Sequence, residues 1–172
     1  MSCISKILEV KGDKPVLICG QIAIEGGGVF KGFEYIITFT QRGHRCGYVA
    51  VPESHPLYKS KEEYPDNYEV HGGVTFFSSP RFEEITKFKC TDKWVGFDAA
   101  HIYDTPCFKT VDQYFPREVR GIDEYQANIE KQFCDQLERI YMDSNESFSH
   151  KTYAFMKNEC RLLINQLIKE AA

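Results

Sequence analysis

The hydrophobic period of this chain changes once, and that change constrains the fold class more than any other feature. In the first part apolar residues recur at every second position: Phe33, Tyr35, Ile37 and Phe39 alternate with Glu34, Ile36, Thr38 and Thr40, the mark of a half-buried antiparallel strand. Later, Ile129, Phe133, Leu137 and Ile140, and then Tyr153, Met156, Cys160, Leu163 and Leu167, follow helical spacing. Two amphipathic helices are predicted there. Strands first and helices last give an α+β chain, a mostly antiparallel sheet followed by two C-terminal helices packed on it. The stretch Asp143-Ser-Asn-Glu146 is short enough to join those helices as an antiparallel pair, with Ser147 or Ser149 capping the second. At 172 residues the chain can bury one sizeable core, so residues 1–172 are expected to form a single globular domain.

In chain order, Ile7 to Val10 and Val16 to Ile24 read as an opening hairpin around Gly12-Asp13-Lys14-Pro15. Glu25 to Gly28 reads as a flexible turn, and Phe33–Thr40 and His44–Val51 continue a meander. From Pro52 to Asn67 the prolines and the charged run Lys59-Ser-Lys-Glu-Glu63 predict a long loop. A strand from Tyr68 to Phe77 follows, then a second excursion through Glu84 to Cys90, and a strand from Trp94 to Ala100. Two long loops flanking one strand are a common way to build a binding wall.

The strand expected at Tyr68 to Phe77 carries more than core packing needs. With a period of two, His71 and Thr75 share one face, and Gly72-Gly73 removes two side chains in mid-strand. Such a pair marks a bulge or a close approach by another backbone or a ligand.

The totals exclude several function classes. A net charge of −4 opposes duplex nucleic acid and anionic membranes as partners, because both need a basic footprint. No apolar run is long enough for a signal peptide or a membrane span, and the seven cysteines are odd in number and lack any Cys-x-x-Cys pair. They present neither a disulfide framework nor a zinc signature, and a reducing cytoplasm fits best. The aromatic share of 14% is generous and points to surfaces for packing or stacking.

The candidate ligand-binding set is His44, Arg45, Tyr48, His55, His71, Thr75, Trp94, Asp98 and His101. Each histidine offers one donor and one acceptor, and each can equally tie a loop to a strand. Arg45, with Arg42 and Lys59, could clamp a phosphate, and Tyr48 and Trp94 could stack a base, although aromatic residues in a sheet are more often core. In Asp98-x-x-His101-x-x-Asp104 a carboxylate could orient an imidazole, but Asp98 and His101 would face opposite sides of a regular strand. In an alternative, catalytic reading His71 or His101 acts as acid or base, with Asp98 orienting it. Cys46 near His44 offers a further nucleophile pair without an evident activator. No metal site and no cofactor are assigned, because no recognised ligand spacing or nucleotide-loop motif occurs.

Three blocks carry a resemblance: Gly43-His-Arg-Cys-Gly-Tyr-Val-Ala-Val-Pro-Glu-Ser-His-Pro-Leu-Tyr58, Val70-His-Gly-Gly-Val-Thr-Phe76, and Trp94-Val-Gly-Phe-Asp-Ala-Ala-His101. Together with a weaker match at Tyr153-x-x-x-x-x-Glu159-Cys160, they resemble a family of small phage and prophage proteins. The resemblance implies a phage-type accessory protein and supplies no reaction. The expected function is to bind and sequester a nucleotide-derived small molecule, such as a host immune signal, in the host cytoplasm. The alternatives are a phosphodiesterase-type hydrolase of such a molecule, or an inhibitor of a host protein acting through the Pro52 to Asn67 loop. Monomer and homo-oligomer both remain open.

Overall fold

The computed structural model describes residues 2–61, 64–79, 90, 92–101, 103–120, 123–143 and 149–172. Six strands, β1 (Leu17–Cys19), β2 (Ile22–Phe30), β3 (Phe33–Thr40), β4 (Arg45–Val51), β5 (Phe76–Ser78) and β6 (Lys93–Asp98), form one antiparallel sheet in the order β1-β2-β3-β4-β6-β5. The helices are α1 (Cys3–Lys11), α2 (Phe108–Tyr114), α3 (Arg117–Arg120), α4 (Glu124–Asp143) and α5 (Tyr153–Glu170). The fold is therefore α+β, with a C-terminal helix on an antiparallel sheet, as the change of period predicts.

The alternation of the strands gives the sheet two apolar faces. Tyr35, Ile37, Val49, Val51, Val95 and Phe97 point to one side, where Met156, Cys160, Leu163, Ile164 and Leu167 of α5 cover them. Those five positions repeat at three and four residues and are fully buried. At about 1.5–3 kcal/mol for each large apolar side chain removed from water, docking of α5 is a main source of stability. Thr152 starts the helix by accepting a hydrogen bond from the Phe155 amide at 3.2 Å. Of the expected caps, Ser147 lies outside the described residues, and Ser149 forms an isolated parallel bridge with Asp104.

On the opposite face, Ile24, Ile36 and Trp94 meet Cys3, Ile4 and Ile7. The strand expected at Ile7 to Val10 is part of α1. Ile4 and Ile7 sit three residues apart on one helical side, while Val10 is 44% exposed. Short apolar runs do not separate helix from strand by period alone. Cys3 and Cys90 are joined as a disulfide, Cα atoms 5.6 Å apart, which ties α1 to the chain entering β6. An odd number of cysteines without a close pair offers no sign of it.

Two other expectations change. Glu25 to Gly28 is not a turn but part of β2, with a bulge between Ile24 and Gly26, where a Cβ on Gly26 would stand 2.7 Å from Tyr153 Oη. Of the strand expected from Tyr68 to Phe77 only Phe76 onward pairs, in β5. The excursion expected through Glu84 to Cys90 and the connection after Asp143 fall mostly outside the described residues. The helix expected around Ile129 is present as α4, with Ile129, Phe133 and Ile140 49%, 57% and 60% exposed. Among the described residues, no helix is long and apolar enough to cross a membrane.

Candidate functional site

The segment before β5 is a turn, not mid-strand. The Gly73 amide donates to the Val70 carbonyl at 2.9 Å, closing a four-residue turn with His71 and Gly72 at its centre. Gly72 has φ +70°, which the third position of a type II turn requires and glycine supplies without steric cost. The His71 amide donates to Glu159 Oε2 of α5 at 2.8 Å, so the helix holds the turn in place. A Cβ on Gly72 would lie 1.8 Å from His101 Cε1. Gly72 thus marks a close approach, but the approaching group is the His101 ring and not the backbone or ligand that the residue types suggest.

His101 belongs to a second turn, just beyond β6, closed by the Asp104 amide donating to the His101 carbonyl at 2.9 Å. Asp104 is 1% exposed in its side chain and collects the cluster. His71 Nε2 lies 3.0 and 2.8 Å from its two oxygens, and His101 Nδ1 lies 3.1 Å from Oδ2. The His101 amide donates to the same oxygen at 3.1 Å, and Lys151 Nζ stands 3.5 Å from Oδ1. The two imidazoles meet edge to face, centroids 5.3 Å apart, and His71 also meets the Phe155 ring at 5.3 Å.

An ionised carboxylate only accepts hydrogen bonds, so each ring nitrogen facing Asp104 carries a proton. His71 is then protonated at Nε2 and His101 at Nδ1, and each ring's other nitrogen is left for chemistry. Burial alone would raise the Asp104 carboxyl. The hydrogen bonds from the His71 ring and from the His101 amide and ring outweigh it and hold the group below its usual range. His44 is lowered by burial, partly offset by its bond to the Ala99 carbonyl and the charges of Asp104 and Asp98.

The structure brings His71 and His101 together and sets His44 within electrostatic reach of His101 and Asp104. The other candidates do other work. Asp98 is not the orienting carboxylate: it accepts from Thr75 Oγ1 at 2.7 Å and from the Ala100 amide at 3.0 Å. Thr75 is thereby committed to Asp98 and shares no face with His71. Arg45 is no phosphate clamp, because it grips Glu25 through Nε and Nη2 at 2.7 and 2.8 Å and donates from Nη1 to the Lys151 carbonyl. Tyr48 and Trp94 pack with Phe76 on the α1 side of the sheet, where Trp94 is fully buried.

His55 is structural. Its Nδ1 accepts from the Leu57 amide at 3.1 Å, which leaves Nε2 as the donor to the Leu167 carbonyl at 2.8 Å. The Cys46 thiol is pushed up to about 11 by burial, which removes it as a nucleophile.

Lys151, Glu159 and Phe155 complete the cluster without a signal in the strand pattern. Of the three, Glu159 alone is a named residue of the blocks that carry the resemblance. A cleft of about 300 Å³ elsewhere is lined by Ser2, Phe33, Glu34, Tyr58 and Asp92. Ser2 there bonds Glu34, and Asp92 accepts from the Cys3 amide. For a metal, one donor atom each from His71, His101 and Asp104 lie within 4.8 Å of one another. No protein-family model matches the chain, and neither a curated protein nor a solved structure matches it.

Proposed function

We propose that this chain binds a small nucleotide-derived molecule at the outward edge of the His71–His101 pair and sequesters it. The observation that carries the reading is the pair itself. Two imidazoles, 24% and 32% exposed, are each fixed through the inner nitrogen by one buried carboxylate. Polar groups held in place before a ligand arrives avoid the ordering cost of binding. The outer nitrogens accept a hydrogen bond when neutral and donate one when protonated, so they serve a base edge, a ribose hydroxyl or a phosphate oxygen. The resemblance to small phage and prophage proteins supports a purpose, the removal of a host's nucleotide immune signal in the host cytoplasm.

A second reading, hydrolysis of such a molecule, is favoured by Asp104. A carboxylate on the far nitrogen of an imidazole fixes its tautomer and stabilises it when protonated, which suits a general base. Two imidazoles on one carboxylate can then divide the acid and base roles in a phosphoester cleavage, with Asp104 taking the part expected of Asp98.

The test is capture and release. Purified protein is incubated with cyclic dinucleotides and ADP-ribose derivatives and filtered, and the free fraction is chromatographed before and after heating. A nucleotide that disappears and returns intact, and that His71→Ala no longer captures, bears out sequestration. One that returns as product moves the function to hydrolysis. If every nucleotide stays free and whole, the site does not serve this class of ligand.

A further inference from the structure

We infer that His71, His101 and Asp104 form a binding site for one divalent transition-metal ion of the zinc class. Sequence spacing hides the set, because His71 lies 33 residues from Asp104. The fold brings their donors together: His71 Nε2 is 2.8 Å and His101 Nδ1 is 3.1 Å from Asp104 Oδ2. Ligands bonded at about 2 Å to one tetrahedral ion stand roughly 3.3 Å apart, so the carboxylate contacts need to open only slightly. Two imidazoles and one carboxylate suit zinc, cobalt or iron, whereas magnesium and calcium prefer oxygen throughout.

The groups behind these ligands are those that metal sites use to hold ligands still. Glu159 fixes the His71 amide, Gly72 closes against the His101 ring, and the His101 amide bonds the Asp104 carboxylate. A second observation points the same way. The buried Nδ1 of His44 has no hydrogen-bond partner among the described residues, and its ring lies within electrostatic reach of Asp104 and His101. The exposed edges of His71 and His101 leave one side of the cluster open to solvent. A position left there for water or a phosphate oxygen is the mark of a working site and not a purely structural one.

Binding is balanced by protons. Each ring binds the ion as the opposite neutral tautomer: the nitrogen facing Asp104 loses its proton while the outer nitrogen keeps or takes up one, so a neutral ring releases none and a protonated ring releases one to solvent. Lys151 gives up Asp104 Oδ1 and keeps Ser149 Oγ, which its ammonium already bonds at 3.2 Å. Lysine and metal therefore compete for one carboxylate. This inference stands apart from the ligand reading, since metal uptake is measured on the protein alone and can succeed where every nucleotide fails.

The full chain, stripped by chelator dialysis, is titrated with Co²⁺ by visible absorption and with Zn²⁺ by calorimetry in buffers of different ionisation heat. The expected result is one ion per chain, ligand-field absorption without a thiolate charge-transfer band, and proton release that grows as pH falls and the free imidazoles become protonated. His101→Ala should weaken uptake at least about 10-fold, the size of effect seen even for outer partners of a metal ligand. Lys151→Gln should tighten it. Wild-type protein that takes up no ion at a ratio of one, or that shows a thiolate band, overturns the proposal whatever the variants do. Unchanged affinity in folded His101→Ala and His71→Ala overturns it as well.

Discussion

At Gly72 two constraints meet: the backbone is left-handed, and the His101 ring occupies the space of a Cβ. Gly73 shares only the first, with φ +83° and nothing within 4 Å of a Cβ. Gly73→Ala should therefore cost about 1–2 kcal/mol of backbone strain and spare the site. Gly72→Ala should add displacement of His101 and abolish ligand capture, which parallel denaturation and capture assays on the two variants would show. A pH dependence follows from the two lowered groups. Each contributes stability that is present above its unfolded value and lost as pH falls through its folded one, from about 6.5 downward for His44 and about 3.9 downward for Asp104. Denaturation midpoints measured against pH should fall in two stages, and Asp104→Asn should remove the lower one. At this scale His71 was legible because glycines beside a polar ring are hard to explain as core. Asp98 was misassigned because the chain turns directly after β6, which hands Asp98 to Thr75 and gives His101 to Asp104.

Among the elements, α5 serves both the core and the site. Its buried side packs on the sheet, Glu159 secures the His71 turn, and its Leu167 carbonyl receives His55. His55→Ala should cost about 2–4 kcal/mol, because a buried amide and a buried carbonyl each lose their partner. Ligand capture at moderate temperature should survive, which would separate His55 from the site histidines. The period of α5 could be read directly, since five buried positions recur over about three turns. That of α1 could not, because three buried residues fit either a helix or a strand. The site turn was missed for a related reason: Tyr68 to Phe77 alternates well enough to imitate a strand, and its ties to Glu159 and Gln166 come from far along the chain.

Across the whole molecule, distant segments meet at Arg45, which joins Glu25 of β2 to the Lys151 carbonyl ahead of α5. Its side chain is 11% exposed and that of Glu25 is 6% exposed, so Arg45→Ala leaves a buried carboxylate without its cation, held by the Tyr114 hydroxyl at 3.0 Å, and should cost about 3 kcal/mol. The Cys3–Cys90 bridge closes a separation of 87 residues. By the chain-entropy account, reduction should cost about 4.6 kcal/mol, seen as a drop in denaturation midpoint that the Cys3→Ser/Cys90→Ser variant does not show. Long-range pairings of this kind leave no local trace in composition or period, which is why the sheet could be foreseen and its ties could not. The central claim is that Asp104 fixes both imidazoles, and the tautomers test it most directly. Long-range ¹H–¹⁵N correlation of the histidine rings should show neutral His71 protonated at Nε2 and neutral His101 at the less common Nδ1, with the His101 preference lost in Asp104→Asn. A neutral His101 protonated at Nε2, unchanged by that substitution, would contradict the account.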